Sequence, residues 1–126
     1  ISSIAVRQIM EGHSVYTMAK GGLESLTRQL AFELSPKIRV NAIAPTATSN
    51  ERNLGYDPDY DKKWAKVSPI GRIAYVEDYV GPCVFLASKD SALVTGQILY
   101  VDGGWTLQGN APDASDFDFS TDRQKN

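Results

Sequence analysis

From Ser14 to Ser35 the apolar residues Ala19, Leu23, Leu26, Leu30 and Leu34 recur at intervals of three and four, the spacing of one face of an α-helix. Pro36 ends that pattern, because proline has no amide proton and its ring clashes with the preceding turn. Directly after it comes "IRVNAIAP", residues 38–45. Its nearly continuous Ile38, Val40, Ala42 and Ile43 suit a parallel strand covered on both sides. A long helix feeding such a strand is the unit from which α/β folds are built.

The rest of the chain continues the alternation. Residues 1–6 read as the end of a strand followed by a loop. Ser14 stands where an N-cap is expected, without the acidic residue three positions on that completes a capping box. Glu24 and Arg28 are spaced for an i,i+4 pair on another face of the helix. Residues 46–58 are polar and turn-rich. "DYDKKWAKV" reads as a short helix carrying Trp64, broken by "SPIGR". A second helix is expected over residues 76–88, "VEDYVGPCVFLAS". Proline inside a helix costs about 3 kcal/mol, so this one is expected to restart near Gly81 and Pro82. "TGQILYVDGG" then gives a strand, Ile98–Val101, closed by a glycine turn.

The order is therefore strand, helix, strand, irregular segment, helix, strand, an α/β arrangement with crossovers between parallel strands. Three strands and two helices leave core-like surface for further chain to cover. Residues 110–126, with Asp113, Asp116, Asp118 and Asp122, are expected to form a polar, acidic tail, flexible or docked on a partner subunit.

Of the 126 residues, 42% are apolar and 22% charged, with a formal net charge of −2. That charge offers no general attraction for nucleic acid or an anionic membrane. No apolar run approaches the roughly 20 residues of a spanning helix, and "ISSIAVRQ" has no signal-peptide character. Cys83 is the single cysteine, so no internal disulfide forms and a cytoplasmic setting is the default. With one His and one Cys, neither near other ligands, no metal site is expected. The apolar opening without methionine suggests a piece of a longer polypeptide.

Tyr16 and Lys20 lie one helical turn apart and project the same way. An ammonium beside a phenol favours the phenolate, and a further hydroxyl, for which Ser3 is placed, holds a substrate oxygen while tyrosine moves its proton. By itself the pair reads first as an ordinary surface tyrosine and lysine. The neighbouring segments decide the matter. Ser3 thirteen residues ahead of Tyr16, the YxxxK spacing, "AKGGLESLTRQLAFEL", "IRVNAIAP", "SPIGR", "FLAS" and "TGQILYVDGG" occur in one order. Together they resemble the C-terminal half of the classical short-chain dehydrogenase/reductase family, over residues 1 to 104.

The resemblance implies the C-terminal part of a doubly wound, parallel-sheet, Rossmann-like fold, with the N-terminal half outside this chain. Residues 1–109 would be half of a single catalytic domain. It implies hydride transfer between a secondary alcohol or carbonyl compound and NAD or NADP. Tyr16 would be the acid-base and Ser3 would orient the substrate oxygen. Lys20 would bind the nicotinamide ribose and lower the tyrosine pKa. Pro45, Thr46, Thr48 and Asn50 would line the nicotinamide pocket beside Tyr16 and Lys20. Residues 46–75 would form the substrate loop, whose Asn50, Glu51, Arg52 and Asp57 favour a polyol or sugar-like compound. The helix from Ser14 and the last strand would pair subunits into a homodimer or homotetramer.

Three positions depart from the family's pattern. Thr46 and Val6 replace usual glycines, and Asn50 replaces a usual threonine, which alters the nicotinamide edge. The family's glycine-rich phosphate loop, its active-site asparagine and the residue that chooses between NAD and NADP do not occur in these residues. The chain alone is therefore expected to be inactive, and the alternative is a noncatalytic fragment or interface subunit. His13 is either a plain loop histidine or a substrate contact. Tyr60 and Trp64 either wall a pocket or simply pack, Trp105 anchors a subunit contact or closes the core, and Cys83 reads as a buried small hydrophobe.

Overall fold

A computed structural model describes residues 1–109; the expected acidic tail lies outside the described residues. The elements are α1 (Ser14–Glu33), β1 (Ala42–Pro45), α2 (Glu51–Tyr56), α3 (Tyr60–Val67), α4 (Val80–Ala87) and β2 (Ile98–Val101), with 3-10 turns at Ile4–Val6, Val76–Tyr79, Lys89–Ser91 and Trp105–Leu107. β1 and β2 pair in parallel, Ala42 opposite Ile98 and Pro45 opposite Val101. The α/β class and parallel pairing are as expected. The sheet has two strands rather than three among the described residues. Residues 1–3 run beside β1 with one ladder-like bond, Ser2 N–H to the Ile43 carbonyl at 2.7 Å. Ser3 then caps the 3-10 turn, its Oγ accepting from the Ala5 amide.

β1 begins at Ala42, not Ile38. The preceding residues are bound largely through side chains, with one backbone bond, from the Gly96 amide to the Val40 carbonyl at 2.7 Å. Arg39 donates to the carbonyls of Leu86, Ser88 and Val94. The Val40 amide donates to Thr95 Oγ1, and Asn41 bridges the Val94 carbonyl and the Gln97 amide. The small core gathers here, with Ile4, Ala5, Ala31, Ala42, Ile43, Ala44 and Ile73 buried.

α1 corrects two expectations. Ser14 is its first helical residue, and His13 precedes it without a side-chain cap. Ala19, Leu26 and Leu34 are exposed, while Glu24, Thr27 and Ala31 are the buried positions. Leu23 and Leu30 are part-buried, so the leucine stripe runs along the flank and outer side of the helix, and its most buried face is largely polar. Glu24 does pair with Arg28 at i,i+4, 3.9 Å away, but is itself only 6% exposed.

α2 lies in the segment expected to be irregular. Asn50 accepts from the Asn53 amide, an N-cap that nucleates a helix of under two turns. α3 ends at Val67 and Ser68, where "SPIGR" begins, as expected. The second helix is split as proline chemistry requires. A 3-10 turn leads into α4, and Pro82 falls in its first turn, where an amide proton has no helical partner. Cys83 on α4 is exposed rather than buried, because none of the α4 residues is fully covered. β2 matches its expected range, and the next residue is Asp102, whose carboxylate accepts from the Gly104 and Thr106 amides. Gly103 takes φ 61°, a left-handed conformation that glycine adopts without cost.

Candidate active site

The candidate residues come from three elements that the fold brings to one end of the sheet. The turn after Ser3, the first two turns of α1, and the segment leaving β1 enclose a cleft of about 650 Å³. Every predicted residue lines it: Ser3, Tyr16 and Lys20 on one side, Pro45, Thr46, Thr48 and Asn50 on the other.

Ser3 is extended and buried. Its Oγ accepts the Ala5 amide at 3.2 Å, and its own proton meets no acceptor among the described residues. Lys20 Nζ donates to the Ile1 carbonyl at 2.9 Å and lies 5.6 Å from the centre of the Tyr16 ring. Two of its three N–H groups stay unused. Tyr16 is half exposed, and its hydroxyl has no hydrogen-bond partner among the described residues. The site therefore holds two unspent O–H groups and a fixed cation in an open cleft.

The opposite wall is tied together by side chains. Thr48 Oγ1 donates to the Thr46 carbonyl and shares a 2.9 Å hydrogen bond with Tyr79 Oη. Burial first of all holds the Tyr79 phenol above its ordinary value, so it stays a neutral hydroxyl. The Thr48 carbonyl accepts from the side-chain amides of Asn50 and Asn53. Ser49 donates to Asp61 at 2.7 Å, which fixes the start of α3 to this segment. Tyr79 and Asn53 were not singled out in the sequence. The Asn50-x-x-Asn53 spacing could have shown the cap, but nothing local points to Tyr79.

Tyr60 and Trp64 reach the cleft from α3, their rings 6.1 Å apart, and Trp64 meets Trp105 at 5.6 Å. Trp105 thus backs the cleft wall. Burial, then the Asp61 carboxylate, raises the Tyr60 pKa. His13 also lines the cleft and stands edge-on to Tyr16 at 6.0 Å. Its Nδ1 is 2.8 Å from the Glu11 carbonyl oxygen. A carbonyl only accepts, so Nδ1 carries the proton and Nε2 of the neutral ring is an acceptor.

Residues 1–106 match the family described as enoyl-(acyl carrier protein) reductase. The chain is 44% identical over 110 residues to L-xylulose reductase of Mesocricetus auratus, covering 85% of this chain and 45% of that protein. It is 38% identical over 110 residues to D-erythrulose reductase of Gallus gallus, with the same coverage. Among solved structures it resembles a gluconate 5-dehydrogenase from Burkholderia cenocepacia in complex with NADP and tartrate. That likeness has a TM-score of 0.78 and 31% identity over 86% of this chain and 44% of that one. A ligand-free aldohexose dehydrogenase from Thermoplasma acidophilum gives a TM-score of 0.80 at 28% identity, covering 88% of this chain and 48% of that one. The chain spans less than half the length of each. The family model matches most of the chain, residues 1–106, and the relatives are reductases, so the chain belongs to the short-chain dehydrogenase/reductase family.

Proposed function

We propose that residues 1–109 form the C-terminal half of a single catalytic domain in an NAD- or NADP-dependent oxidoreductase. Its substrate is a small polyol or sugar-like secondary alcohol, or the matching ketone. The observation that carries this reading is the convergence of Ser3, Tyr16 and Lys20 on one cleft with unspent hydrogen-bonding groups. The relatives support the substrate class, being reductases of L-xylulose and D-erythrulose by name.

The cleft's donors fit a nicotinamide nucleoside. Lys20 keeps two N–H groups for ribose hydroxyls, and Tyr16 stands beside it. Pro45 and Thr46 would border the ring, and the Thr48 amide would meet the carboxamide, its carbonyl being taken by Asn50 and Asn53. Asn50 keeps one N–H and one lone pair for the same edge. The nicotinamide supplies the hydride acceptor or donor. Ser3 donates to the substrate oxygen and fixes its position. Tyr16 takes the proton from an alcohol or returns it to a ketone oxygen, and Lys20 stabilises the negative charge that develops on the phenol oxygen. His13 Nε2 accepts from a second hydroxyl of the substrate, which suits a polyol.

Val15, Met18 and Leu26 on α1, with Val80 and Val84 on α4, are exposed. We take these as faces buried by the rest of the polypeptide and by other subunits, in a homodimer or homotetramer of cytoplasmic setting. Among the described residues no helix is long and apolar enough to cross a membrane. A second reading, a noncatalytic interface subunit, draws on the same exposed faces.

Two measurements test the assignment: titration of the native protein with reduced NAD and NADP, and turnover of Tyr16→Phe. Loss of a positioned acid-base lowers kcat about 10³-fold while cofactor still binds. Full activity in Tyr16→Phe rejects the acid-base role, and no binding of either nucleotide leaves the interface reading.

A further inference from the structure

The inner face of α1 holds more than the candidate acid-base. Thr17, Lys20 and Glu24, at i, i+3 and i+7, each bond the Ile1–Arg7 segment that carries Ser3. Thr17 Oγ1 donates to the Ala5 carbonyl at 3.3 Å, and Lys20 Nζ to the Ile1 carbonyl at 2.9 Å. Glu24 Oε1 accepts from Ser2 Oγ at 2.8 Å. The same oxygen accepts from Tyr100 Oη on β2 at 2.9 Å. The Arg7 guanidinium lies 4.1 Å from the centre of the Tyr100 ring.

The carboxylate therefore reaches both sides of the Ser3 turn. It touches Ser2, the residue before Ser3, directly. Through Tyr100 it reaches Arg7, the residue that closes the turn after Ser3. Arg28 comes only to 3.9 Å of Oε2 and is itself half exposed, so two neutral hydroxyls do most of the compensation. Burying a carboxylate is costly, and a well-packed apolar residue is often as stable in its place. Stability is thus a poor account of this residue. What the bonds fix is geometry.

We propose that Glu24 is a positioning residue for hydride transfer: it sets the backbone on both sides of Ser3 relative to Lys20 and Tyr16, one and two turns earlier on the same helix. This rests on the reading of Ser3 and Tyr16 given under Proposed function. Displacing a reacting group by about 1 Å costs on the order of 10²-fold in rate. Loss of the tether therefore lowers kcat while leaving the binding surface in place.

The test uses the native protein with its alcohol substrate, in ordinary form and deuterated at the reacting carbon. Glu24→Ala is expected to lower kcat about 10- to 100-fold, with KM within about threefold of wild type. Its isotope effect on kcat rises as hydrogen transfer becomes the slow step. Glu24→Gln, whose amide oxygen still accepts from Ser2 and Tyr100, recovers most of the loss. Thr27→Ala, on the same buried face but bonded only to the Leu23 carbonyl, lowers Tm without changing kcat. Should Glu24→Ala fail to fold, Ser2→Ala removes the donor of the same tether and is expected to lower kcat several-fold.

Wild-type kcat in Glu24→Ala or Ser2→Ala, whatever the Tm, overturns the proposal. So does a Glu24→Gln protein as slow as Glu24→Ala. A fully active Tyr16→Phe sinks the underlying reading of the site. An inactive Tyr16→Phe beside a fully active Glu24→Ala sinks the Glu24 role alone.

Discussion

The two faces of α1 invert the usual arrangement of a surface helix. Glu24 and Thr27 are buried against the sheet, whereas Met18, on the opposite side, is 71% exposed and Leu26 is 50% exposed. The buried polar groups are tolerable because each has a partner. Thr27 donates to the Leu23 carbonyl, and Glu24 accepts two hydroxyls. The outer face has no partners among the described residues. A helical repeat thus reveals that one side is apolar, and says nothing about which neighbour covers it.

Three substitutions probe that contrast. The largest effect is expected inside. Ala31 is 4% exposed, and a Cβ built on Gly96 would already stand 3.4 Å from its own. Ala31→Leu overpacks this contact and is expected to cost about 2 kcal/mol. Urea unfolding would register it, and an unchanged midpoint would show that the inner face is loosely packed.

A smaller effect is expected where a polar link lies in water. Arg72 grips Asp78 through two bonds of 2.7 and 2.6 Å. That fork, with the Tyr75 amide, lowers the Asp78 pKa from 3.8 to about 2. A depressed carboxylate stabilises the fold above its unfolded value. The contribution is lost as pH falls from about 4 through about 2. Because Arg72 is half exposed, solvent screening keeps the contribution small. Asp78→Asn should unfold at lower urea than wild type at pH 6, and the two curves should converge near pH 2. A gap that persists at pH 2 would mean the fork is not its source.

The smallest effect is expected outside. Leu26→Gln should change the stability of this 126-residue chain by less than about 0.5 kcal/mol. In the native assembly the same substitution should cost more than about 1 kcal/mol if the outer face is buried there. Equal, small changes in both would remove the argument for a covered face.

Much of the fold was legible because local chemistry dictated it. Pro36, the turn of Gly103 and Gly104, and the "SPIGR" break each mark an end that the structure keeps, and β2 needed no correction. Readings failed where distant groups decide. β1 starts late because the Arg39 guanidinium, the Val40 amide and the Asn41 side chain take side-chain bonds with partners about fifty residues on, and only the Val40 carbonyl meets a backbone amide, that of Gly96. Cys83 was expected in a covered helix, yet α4 lies open. α2 was missed because six residues carry little periodicity, although its Asn50 cap was in plain view. At the site, the YxxxK spacing and the serine ahead of it were readable as a group. Glu24 was visible only as half of an i,i+4 pair, since its real partners, Ser2 and Tyr100, lie 22 and 76 residues away.

The left-handed turn at Gly103 bears on the evolvability of the pocket. A side-chain carbon there would come within 2.7 Å of Ile70 Cγ2 and 3.5 Å of Ser68 Oγ, and Ser68 is the residue that ends α3. Any larger residue at 103 would press on the segment from which α3 hangs, shifting the Tyr60 and Trp64 wall of the cleft. The shape of that wall can therefore be changed from Gly103, a position outside the cleft lining, and the glycine is the setting at which the wall stands where it does now.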